Sequence, residues 1–157
     1  MKALTVALMT LLALPAFAAD PKGLSPAQIE SLRAARGMGL SLPAELNGKP
    51  GPLHVLELAD KLGLSAEQIE AMDGLVVAMK TEAVAVGERI IAAEGELDAL
   101  FAAAEPDRAA VAAKVDDIAR LNGALRLVHL NTHLAAAKVL SAGQKGRYME
   151  LRHYPGG

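Results

Sequence analysis

"SAEQIEAMDGLVVAMKTEAVAVGERIIAAEGELDALF", residues 65–101, decides the fold. Met72, Val76, Met79, Ala83, Val86, Ile90, Ala93, Leu97 and Leu100 recur at alternating intervals of four and three. An unbroken heptad seam of this kind predicts a long helix with one narrow apolar stripe, which needs a helical partner. The partner follows after "AAAEPD", residues 102–107, where Pro106 breaks the helix. Ile118, Leu121, Leu125, Val128, Thr132, Ala135 and Val139 repeat the same spacing. Two long helices joined by a short turn predict an antiparallel hairpin.

Shorter elements flank it. "GPLHVLELADKLG" predicts a short helix from about residue 53 to 62, ended by Gly63, and Ser141 opens a last helix reaching about His153. Residues 25–36 form a candidate helix, and the Gly- and Pro-rich stretch 37–51 reads as a loop or linker. Three segments share one wording: "LSPAQIESL" from Leu24, "LSAEQIEAM" from Leu64 and "LSAGQKGRY" from Leu140. In each, Ser is a helix N-cap and the Gln three residues later completes a capping box. The expected fold is all-α: a hairpin domain over residues 52–153, an N-terminal helix and linker over 19–51, and a tail at 154–157.

The chain opens "MKALTVALMTLLALPAFAAD". Lys2, the apolar run from Ala3 to Leu14 and Ala16-Phe17-Ala18 fit a secretory signal peptide over residues 1–18. We therefore expect a periplasmic protein with no membrane insertion after cleavage. The chain has no cysteine, which excludes both disulfides and a lipid-anchored start. Net charge is −2 and basic residues form no tract, so nucleic acid is not an expected partner. No phosphate loop, nucleophile elbow or Ser/His/Asp set occurs, and an enzyme is not expected. One face of so thin a hairpin would stay exposed, with Leu97, Leu100 and Phe101 short of partners near the tip. A homodimer is expected on that ground.

The four histidines supply the remaining signal. His129 and His133, four apart on the second long helix, share one face, the spacing of metal-binding helices. The bland alternative is a partly exposed helical pair. With the turn near residue 105, His129 falls opposite Met79 and Lys80, and His133 opposite Val76. Folding the short helix back at Gly63 brings His54 beside Asp73. The expected site is His54, His129 and His133, with Glu57 or Asp73 as a fourth ligand. Imidazole suits zinc, nickel, cobalt and copper. Met72 and Met79 lie near but sit on the seam, where methionine fills the core.

Leu64-Ser65-Ala66-Glu67-Gln68 and Leu140-Ser141-Ala142-Gly143-Gln144, on either side of a heptad hairpin, resemble the paired Leu-Thr-x-x-Gln motifs of the Spy/CpxP superfamily of periplasmic helical-hairpin proteins. The resemblance covers about residues 52–153 and is nearest the heavy-metal branch, which includes a cobalt–nickel resistance sensor and zinc-resistance-associated proteins. It implies a metal site in which a His on the short first helix joins a Glu from the second and a His-x-x-x-Met pair on the third. His54 and His129 match, with His133 at the methionine position. Aligning from the last motif instead puts His133 at the sensor's histidine. Leu58 stands where the sensor has a second histidine, and Leu75 or Val76 where it has the glutamate. The implied function is heavy-metal sensing, resistance or buffering, with a membrane-bound signalling partner. The chaperone branch implies the alternative, an ATP-independent holdase or envelope-stress regulator that shields unfolded clients. A lipid-binding bundle fits less well, because the seam is narrow.

Overall fold

The computed structural model describes residues 20–154. The expected signal peptide at 1–18 lies outside them. Among the described residues the chain forms α-helices and no strands: α1 (Pro26–Arg33), α2 (Leu42–Leu46), α3 (Pro52–Glu57), α4 (Ala59–Leu62), α5 (Ala66–Phe101), α6 (Arg108–Val139) and α7 (Ala142–Leu151). The long pair α5 and α6 packs together as the hairpin, and its turn ends where the Asp107 side chain accepts from the Ala109 N–H at 2.9 Å. At about 1.5 Å per residue, the 36 residues of α5 span roughly 54 Å.

All three capping boxes form. The second and third do more than start helices. The Gln68 and Gln144 side-chain amides donate to each other's oxygens, both at 2.9 Å. Gln68 Nε2 also donates to the Val139 carbonyl at 3.0 Å, so the end of α6 is held against the start of α5. The motif pair is a clamp that closes the open end of the hairpin.

Along α5 the seam holds: Met72, Val76, Met79, Ala83, Val86, Ile90 and Ala93 are buried. On α6 it holds from Leu121 to Val128 and then rotates. His129, His133, Ala136 and Leu140 are buried, while Thr132, Ala135 and Val139 are only half-buried. The rotation has a cause. In this half α6 is covered by α2 and α3 as well as α5, so its buried face turns toward the added helices.

Residues before the hairpin pack on its body. Ile29 and Leu32 of α1 join a core cluster with Met79, Ala83, Val86, Leu121 and Leu125. Gly87 permits this approach, since a Cβ there would meet the Leu32 carbonyl oxygen at 2.8 Å. A second cluster gathers Val55, Leu62, Met72, Ala136, Leu140 and Tyr148. The expected single helix at 53–62 is two, because Leu58 (φ −109, ψ 14) leaves the helical region and its N–H bonds Val55 O three residues back. Gly63 (φ 59) then takes the left-handed conformation that turns the chain into α5. The stretch 37–51, expected as loop, contains α2, which seats Glu45 in the interior.

Candidate metal centre

His129 and His133 lie on α6 between the two apolar clusters. Both are buried, at 5% and 8% exposure, which removes the reading of a partly exposed helical pair. They line a cavity of about 150 Å³ with His54 of α3, Glu45 of α2 and Met79 of α5. Three histidines from two helices thus line one cavity, together with Met79.

Hydrogen bonds orient two of the three rings. His133 Nδ1 is 2.7 Å from the Lys49 carbonyl oxygen. A carbonyl only accepts, so Nδ1 carries a proton, and in the neutral form of the ring the lone pair lies on Nε2. That nitrogen rests against Gly51, where a Cβ would come within 2.8 Å of it. His54 Nδ1 stands 2.9 Å from Glu57 Oε2. The carboxylate accepts from the Nδ1–H, which in the neutral ring again leaves the lone pair on Nε2. His129 Nε2 is buried with no hydrogen-bond partner. Burial first, and the neighbouring His133 second, push the pKa of His129 below the usual imidazole value. A buried nitrogen without a partner is costly, of order 1–3 kcal/mol, and a neutral ring is the form that binds a metal.

The carboxylates expected as fourth ligand are placed elsewhere. Glu57 is exposed and joined to His54 Nδ1, so it orients that ring from outside the cavity. Asp73 is exposed on α5 and is not part of the lining. His153 lies past α7, also exposed. The carboxylate that does reach the cavity is Glu45. Its Oε2 accepts from the Gly51 N–H at 3.3 Å and lies 3.4 Å from His133 Nδ1, and its Oε1 accepts from the Tyr148 hydroxyl. The only sequence hint of this placement was Ser41 ahead of Pro43, a weak helix start, since five residues are too few for a periodicity to show.

A family model described as heavy-metal resistance matches residues 2–147. The chain belongs to the heavy-metal resistance family. This is the group of Spy/CpxP-like helical proteins that the paired motifs resembled. No curated protein and no solved structure matches the chain. Membership ties the chain to a function related to heavy-metal resistance. The lining offers three imidazoles, one with an orphaned nitrogen and two with Nδ1 beside an oxygen acceptor. Among the described residues, no three His, Asp or Glu side chains stand together at metal-binding separations.

Proposed function

We propose that the protein is a periplasmic metal-binding protein that senses or buffers a heavy-metal ion, with His54, His129 and His133 as ligands. The observation that carries this reading is the buried, partnerless Nε2 of His129 in a cavity shared with two other histidines. Imidazole nitrogens suit zinc, nickel, cobalt and copper, and the Met79 thioether on the wall adds a donor favouring copper(I). The oxygens on His133 and His54 Nδ1 supply the support that metal-binding histidines ordinarily have. We assign no enzymatic activity. Function is carried out by binding, by a homodimer that reports to a membrane-bound signalling partner.

The test is a titration of the metal-free protein with zinc, nickel, cobalt and copper at pH 7.5. Binding at micromolar concentration or tighter is expected, with each of His54→Ala, His129→Ala and His133→Ala weakening it at least tenfold. His153→Ala should change nothing. Absence of binding for all four ions would overturn the reading. Leu127 and Leu134, seven apart on α6 and 54% and 48% exposed, favour a second reading as a holdase for unfolded chains. Suppression of client aggregation that persists with a chelator, and survives His129→Ala, would support it.

A further inference from the structure

Glu45 is the one carboxylate buried among the described residues, and it belongs to neither hairpin helix. Its hydrogen-bonding neighbours come from three places: the Tyr148 hydroxyl on α7, the Gly51 N–H before α3 and, at the edge of reach, His133 Nδ1 on α6. The Tyr148 hydroxyl and the Gly51 N–H are neutral donors. Arg152, whose charge is felt at Glu45 and Tyr148, makes its hydrogen bond to the Tyr154 hydroxyl instead, at 3.3 Å. A carboxylate this deeply buried is costly unless positive charge lies within reach, and His133 is the nearest side chain that can supply it.

We infer that Glu45 is a positioning residue for His133, and that the buried relay Tyr148–Glu45–His133 carries occupancy of the metal site to α7. This rests on the metal reading above. Lys49 O is the near acceptor of the His133 Nδ1 proton, at 2.7 Å, and Glu45 Oε2 stands behind it at 3.4 Å. A cation on His133 Nε2 makes the ring partly positive and its Nδ1–H a stronger donor. Glu45 is then drawn toward His133, and its hold on the Tyr148 hydroxyl weakens. Burial and then Glu45 push the Tyr148 pKa up, which keeps the phenol protonated as a donor throughout. Coupling of this kind is reciprocal, so altering Tyr148 must alter metal affinity.

Tyrosine emission reads the relay directly, because the chain has no tryptophan and only two tyrosines. The probe is zinc chloride, whose filled d shell adds no redox chemistry of its own. In the Tyr154→Phe protein, zinc should produce a saturable change in Tyr148 emission with the same midpoint as binding measured by calorimetry. Glu45→Gln should weaken zinc about tenfold, the usual effect of losing an outer partner of a ligand, and abolish the emission change. Tyr148→Phe, which keeps the ring in place, should tighten zinc several-fold by freeing Glu45 for His133. A merely structural Tyr148 would leave affinity unchanged or lower it. Zinc binding with flat Tyr148 emission, or with unaltered affinity in Tyr148→Phe, overturns the relay and leaves the metal reading standing. If the unmodified protein binds no zinc, nickel, cobalt or copper, both fall together. The emission and Tyr148→Phe measurements decide the matter even if Glu45→Gln does not fold.

Discussion

His129 buries a ring nitrogen that has nothing to bond, and that choice has a measurable cost. Protonating the ring inside the fold is harder than in the unfolded chain, since its pKa is lowered by burial and by His133. Between the lowered folded value and the ordinary value of about 6.5, the unfolded state binds more protons. Stability is therefore complete above about pH 6.5 and is lost as pH falls through the folded value of His129. Urea midpoints of the metal-free protein, taken with a chelator present, should drop between pH 7.5 and 5.5. His129→Leu should flatten that dependence, and an unchanged slope in this variant would assign the loss to other groups. His129 and His133 were recognisable in the sequence from their spacing, and His54 from the way Gly63 folds α3–α4 back. Glu45 was not, because what marks it is burial, and residues 37–51 carry no repeating pattern from which burial can be read.

Two contacts decide how the helices dock. The first is Gly87, pressed against the Leu32 carbonyl; Gly74 on the same helix has open space around it. Gly74→Ala should stabilise the protein by about 0.5–1 kcal/mol through helix propensity alone. Gly87→Val should destabilise it by about 1–3 kcal/mol and release α1, seen as faster amide exchange over residues 26–33. Equal melting shifts for the two variants would mean that α1 does not lean on α5 there. The second contact is the amide pair. Gln68→Ala and Gln144→Ala each break the same reciprocal bonds. Their effects should be non-additive, with a coupling energy of about 0.5–3 kcal/mol in a double-mutant cycle. Additive losses would reduce the motif to separate helix caps. Helix starts and stops were legible because capping is a local matter of Ser, Gln, Gly and Pro. The break at Leu58 was not, since it follows from how α3 and α4 each pack.

Across the molecule, the two clusters fill the middle and the open end of the hairpin, while the tip is thinly packed. There a groove of about 880 Å³ is lined by Ala99, Leu100, Ala110 and Ala113, and Phe101 is 61% exposed. Alanines on both helices leave the tip little core of its own, which supports the expected homodimer. Sedimentation at micromolar concentration should give twice the chain mass. Phe101→Ser should weaken the dimer: burial of such a side chain is worth about 1.5–3 kcal/mol, or roughly ten- to a hundredfold in dissociation constant. A monomer at these concentrations would remove the dimer from the functional reading.

The sequence by itself determined the all-α class, the hairpin, its turn, the three helix starts and the family resemblance. Each rests on periodicity or on residues within a few positions of one another, and such patterns survive without knowledge of the fold. Tertiary structure alone decided the character of the site. Residues 37–58 fold over one half of α6, turn its buried face from Thr132 and Ala135 toward His129 and His133, and bring Glu45 between Tyr148 and His133. Asp73, near in the spacing argument, stays at the surface. Heptad spacing describes a helix with a single partner. Where α2 and α3 add a second one, the buried face is set by all the neighbours together, and no local pattern records them.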